Sequence, residues 1–140
     1  GVHDHEGQLE VMNTRILLVA SAVFTGTVGL ALTFAPDEIA TVRQGSYTND
    51  LRIVLQLCGA LYCGFALTAW MAKGAALGGI YGRPIVIGNL TFYTIAALAL
   101  AKTCMASPSM DPMLLALAVV HASFALLFGY TMYTHPTQRT

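Results

Sequence analysis

From Ile16 to Phe34 the chain runs nineteen residues, ILLVASAVFTGTVGLALTF, without a charged side chain. At about 1.5 Å of rise per residue such a run, coiled as an α-helix, is close to the roughly 30 Å hydrocarbon thickness of a bilayer. In lipid every backbone N–H and C=O must find a partner within the protein, so an α-helix is the conformation open to an isolated apolar run of this length. Three further stretches have the same character: Leu51 to about Met71, Ile85 to Ala101, and Met113 to about Tyr133. The fold class expected is therefore all-α, an integral membrane four-helix up-down bundle with spans at about 16–34, 51–71, 85–101 and 113–133.

Composition supports the same class. Asp, Glu, Lys and Arg make up 10% of the 140 residues, against roughly 25% in soluble proteins. So few charges cannot cover a water-facing surface. Four spans also leave no room for a separate soluble domain. The chain reads as a single transmembrane domain over 1–140, with a polar N-terminal tail at 1–14 and a short C-terminal tail at 134–140. A secretory leader resembles the first span in pattern, but the run is read here as a retained helix.

Local signals place the connections. Pro36, Asp37 and Glu38 open a short segment that suits a small interfacial helix, with Ile39 and Val42 on one face. Asn49 or Asp50 can cap the second span, and Lys73 follows its end. Four glycines, Gly74, Gly78, Gly79 and Gly82, disfavour a helix between spans two and three. The third span is expected to be the shortest and to end before Lys102. Asp111 as N-cap and Pro112 at the first helical position should start the fourth. With both termini on one side, that side holds Arg15, Lys73, Arg83 and Arg139, against Arg43, Arg52 and Lys102 on the other, a balance that favours cytoplasmic termini.

Helix association in lipid depends on close packing of small residues. Span one offers Ala22, Thr25, Gly26 and Gly29 on one face. Span two offers Gly59, Ala60, Cys63 and Gly64, and span four Ala118, Ala122, Ala125 and Gly129. These are the expected packing seams, within the bundle or toward another membrane subunit or a second copy.

Polar residues inside spans mark candidate sites because they are costly in lipid unless paired. Gln56 and His121 fall at similar depths, and either lock the bundle through a mutual hydrogen bond or contact the head group of a quinone or lipid. Asn89 falls level with Ser21 and Thr68, which can satisfy its amide. Around the glycine-rich turn Lys73, Tyr81 and Arg83 can hold a lipid phosphate. Bound lipid is expected, quinone is conceivable, and no other cofactor is implied. Several activities are excluded by counting. A bis-histidine haem needs two histidines within the spans, whereas only His121 lies in one. Cys58, Cys63 and Cys104 form no CxxC pair and read as packing residues. All seven acidic residues fall outside the spans, which argues against a proton-coupled exporter. His3, His5 and His135 belong to the tails, so no metal site is expected. A formal net charge of zero with no basic run excludes a nucleic-acid footprint.

The stretch from FAPDEIA through LQLCGALYCGFALTAWMAKGAALGGIYGRPIVIGN, Phe34 to Asn89, resembles the small four-span bacterial membrane proteins of the DoxX-like group. The resemblance lies in layout: a Pro-acid pair after span one, a glycine-rich second span ending in aromatic and basic residues, and a GxYGRP turn before span three. It implies a four-helix fold in a bacterial inner membrane. Some members are similar to membrane subunits of quinone-linked oxidoreductases, but the resemblance carries no catalytic residues onto this chain. The functional expectation is a non-catalytic accessory subunit of a larger membrane complex. The alternatives are a quinone-linked oxidoreductase accessory and an oligomeric transporter of a small apolar solute. The reading leans away from an enzyme.

Overall fold

The computed structural model describes residues 2–43, 48–74, 82–106 and 111–134, with side chains omitted at 2–12 and 41–43. The chain is all-α, as expected. It forms α1 (Val2–Phe34), α2 (Pro36–Arg43), α3 (Asn49–Ala72), α4 (Gly82–Ala106) and α5 (Pro112–Thr134). Four segments of 22 to 25 residues, Asn13–Phe34 in α1 and the whole of α3, α4 and α5, are long and apolar enough to cross a membrane. Most of their surface is exposed, including Leu57, Leu61, Leu98 and Leu126 at more than half their area. Those apolar faces meet membrane lipid.

The helix limits follow from local chemistry and differ from expectation at three places. The polar leader is helical and continuous with the first span, since α1 starts at Val2. Thr48, not Asn49 or Asp50, caps α3: its hydroxyl accepts from Leu51 N at 3.4 Å and its carbonyl from Arg52 N at 3.2 Å. The third span is the longest of the four at 25 residues, because α4 continues through Lys102 to Ala106. A lysine ends a hydrocarbon crossing but has good helix propensity, so the backbone coils on. At α5 Asp111 and Pro112 act as read, with Met113 N donating to Asp111 Oδ1 at 2.9 Å.

Pro36 separates α1 from α2. It has no N–H, so the carbonyl of Leu32 loses its normal helical donor and α1 stops at Phe34. The short interfacial helix expected from the sequence forms as α2, with Asp37 and Glu38 in its first turn. It is tied to α3 by an ion pair in which Arg52 Nη2 donates to Asp37 Oδ2 at 2.5 Å. Both side chains are 46% exposed. At that exposure solvent screening limits the pair to about 0–1 kcal/mol. Arg52→Ala is accordingly expected to shift the unfolding midpoint slightly at low salt and not at all in molar salt, read by denaturant titration in micelles.

The chain divides into two compact units, residues 1–74 and 75–140. In the first, α1 and α3 pack antiparallel. A Cβ built on Gly26 would lie 3.5 Å from Ala66 Cβ, one on Gly29 would lie 2.7 Å from Cys63 Sγ, and one on Gly59 would press on Thr33. As α1 advances, its partners on α3 recede. Leu18, Ser21, Ala22, Thr25 and Ala69 are buried along this seam. In the second unit α4 and α5 also pack antiparallel. Gly129 faces Leu90, with 3.7 Å between a built Cβ and Leu90 Cδ1. The buried side chains there include Val86, Asn89, Tyr93, Leu114, Ala118, His121 and Phe128.

Candidate functional site

The α4–α5 unit buries Asn89, His121 and Thr131 together with the aromatic side chains Tyr93 and Phe128. Val86, Asn89 and Tyr93 recur at helical spacing on one face of α4, and His121, Phe124 and Phe128 do so on α5. Tyr93 is fully buried at their centre. Its ring stacks on Phe124 at 4.8 Å and on Phe128 at 5.8 Å, meets Phe92 edge-on at 5.1 Å, and tilts against His121 at 5.7 Å. Such pairs add about 0.5–1.5 kcal/mol each beyond burial. The sequence reading missed this role for Tyr93. The available signal was its spacing from Asn89, which puts both on one face.

Each polar group of this cluster is first served by its own helix. His121 Nδ1 lies 2.7 Å from Leu117 O. A carbonyl oxygen only accepts, so the ring donates from Nδ1. Asn89 Nδ2 donates to Ile85 O at 2.9 Å. The amide thus turns to its own backbone, while Ser21 and Thr68, expected to satisfy it, belong to the other compact unit. Thr68 donates to Gly64 O at 2.8 Å. Asn89 Oδ1, buried, has no hydrogen-bond partner among the described residues. Leaving a buried carbonyl acceptor without any donor costs about 1–3 kcal/mol.

The same pattern runs through all four spans. Thr25, Thr27, Thr33, Thr103, Ser123, Thr131 and Thr134 donate to the carbonyl four residues earlier, at 2.7 to 3.0 Å. A hydroxyl so bonded presents little beyond its methyl or methylene to the lipid or to a neighbouring helix.

Gln56, paired with His121 in the sequence reading, lies on α3 in the other unit and is exposed. Its Nε2 donates to Thr33 O at 3.5 Å. The physical reason lies in Pro36: carbonyls near the C-terminus of α1 lose regular helical partners, and Gln56 reaches one of them. Both residues proposed for a quinone or lipid head group therefore hold bonds to backbone carbonyls.

Of the residues expected to hold a lipid phosphate, Lys73 and Arg83 are described. Lys73 caps α3 and lays its ammonium over the Trp70 ring, 3.2 Å from the centroid. Arg83 is exposed near the start of α4, while Tyr81 lies outside the described residues. Also outside them are the side chains of His3, His5 and His135. Among the described residues no three His, Cys, Asp or Glu side chains come together as metal ligands.

Of the expected packing residues, Ala22, Gly29 and Gly59 are buried and Gly26 is half-buried on the α1–α3 seam. A Cβ on Gly29 would fall 2.8 Å from Cys63 N and 2.9 Å from Gly59 O, so the two backbones touch there. Ala60 and Gly64 are exposed, and a Cβ on Gly64 would meet nothing within 4 Å. They lie off the seam because one residue along a helix is a rotation of about 100°. Ala125 and Gly129 are half-buried in the α4–α5 unit.

Fold and site together define a class: an all-α protein with four helices able to cross a membrane and in-span polar groups bonded mainly to their own backbone. Comparison with protein-family models, with curated proteins and with solved structures finds no match. The likeness to the DoxX-like group thus rests on sequence layout alone.

Proposed function

We propose that this chain is a non-catalytic accessory subunit of a larger membrane assembly, and that it receives a further helix on the small-residue face of α3. The supporting observation is the exposed series Ala60, Gly64 and Thr68, at successive intervals of four, alongside a neighbouring face already used for α1. Thr68 spends its proton on Gly64 O, so it adds a small apolar surface and no unmet donor. Small residues at this spacing let helix backbones approach where lipid gives no hydrophobic drive for association. In this reading the membrane is a bacterial inner membrane, and the orientation follows the balance of Lys and Arg that favours cytoplasmic termini.

Native mass spectrometry in mild detergent tests it. The wild-type chain should leave the membrane in a stoichiometric complex, well above its own 14.9 kDa. Gly64→Leu should release it as a monomer of unchanged thermal stability. A wild-type protein that is extracted as a lone monomer overturns the reading.

A further inference from the structure

Asn89 carries an acceptor for which the described residues supply no donor. Its amide orientation is fixed by the bond from Nδ2 to Ile85 O at 2.9 Å, since turning it round would set one carbonyl oxygen against another. Oδ1 is thereby directed away from that backbone carbonyl, on a side chain only 1% exposed, and accepts no hydrogen bond from any described residue. Bulk solvent and the lipid exterior do not reach it.

Beside Phe128, which stacks on Tyr93, α5 also presents small residues to α4. Leu90, next to Asn89, reaches Gly129, where even an added Cβ would sit at an ordinary 3.7 Å. Ala125 lies one turn before Gly129, and both are half-buried. Near the same end of the hairpin Thr131 is buried with its proton committed to Leu127 O at 2.9 Å, which leaves its oxygen as a second acceptor. A buried acceptor left without a donor calls for a molecule that brings a proton. Buried polar groups left unmet by protein are ordinarily met by small hydroxylic molecules, water foremost.

We propose that Asn89 Oδ1 is the acceptor of a binding site in the α4–α5 hairpin for a small O–H donor, either a water molecule or the hydroxyl of a membrane solute. The site is independent of the subunit role above, because it uses neither α3 nor its exposed face.

Solid-state NMR of the full chain in synthetic phosphatidylcholine bilayers, with magnetisation transferred from water protons to the asparagine side-chain carbons, provides the test. Transfer to the Asn89 amide carbon, lost when the water is deuterated, identifies water as the donor. If that transfer is absent in the synthetic bilayer but a contact from a solute hydroxyl appears in bilayers of native lipid extract, the donor is the solute. Tyr93→Phe keeps the ring stack and removes the nearby phenol, and the signal should persist in it. Absence of both signals in the wild-type chain, or loss of the signal in Tyr93→Phe, overturns the proposal.

Discussion

Gly59→Leu is expected to separate α1 from α3, at a cost of about 3 kcal/mol or more, because the atoms it would strike cannot rotate away. A Cβ at Gly59 lies 2.8 Å from Gly29 O and 2.9 Å from Thr33 N, and closer still to the Thr33 hydroxyl. Two of these are backbone atoms of a regular helix, and that hydroxyl is itself held by Gly29 O at 2.7 Å. Relief requires the helices to part along the seam that buries Leu18, Ala22 and Thr25.

Alanine variants grade the effect. Gly→Ala gains roughly 1 kcal/mol of helix propensity, so the sign of each change reports the space available. Gly59→Ala and Gly29→Ala should both destabilise, since a clash of about 1–3 kcal/mol exceeds that gain. Gly26→Ala meets only Ala66 Cβ at 3.5 Å and should be neutral or slightly stabilising. Denaturant titration of helicity in micelles orders the series. A Gly59→Leu protein as stable as wild type would show that the backbones do not touch at this crossing.

The second large effect is expected at Tyr93. Tyr93→Ala should cost about 3–5 kcal/mol, the range for losing a buried aromatic side chain and leaving a cavity. It removes contacts with Phe92, His121, Phe124 and Phe128 together. Tyr93→Phe retains the ring and should lose far less. The near-ultraviolet circular dichroism of the aromatic cluster should collapse in the alanine variant and survive in the phenylalanine one. Equal stability of the two variants would mean that the phenol hydroxyl, and not the ring stack, holds this hairpin.

The spans were legible because a charge-free run of this length has few structural solutions in lipid. The start of α5 was legible for a local reason, since Asp111 and Pro112 each meet a specific need of a helix N-terminus. Where several residues meet the same need, the sequence is ambiguous. Thr48, Asn49 and Asp50 can all cap, and the helix begins after the first of them. Lys102 misled in another way, for it marks a limit in a solvent and not in a backbone. The seam on α3 shows the same difficulty in rotation: Gly59 with Cys63 and Ala60 with Gly64 are equivalent in composition, and only the partner helix selects between them. The candidate site was half legible. Asn89 and His121 were recognisable as polar residues in apolar runs, whereas Tyr93 is one aromatic among many until α5 is placed against α4.

The hydroxyls bonded four residues back along their own helices bear on how the protein is made. A helix whose Thr and Ser protons are already committed to its own carbonyls carries little unmet polarity into the bilayer and need not await a neighbour. Insertion and association become separable steps, so each span can leave the translocation machinery singly and find its companion by lateral diffusion. Asn89 is an exception, its Oδ1 unmet among the described residues, and its span should gain from early pairing.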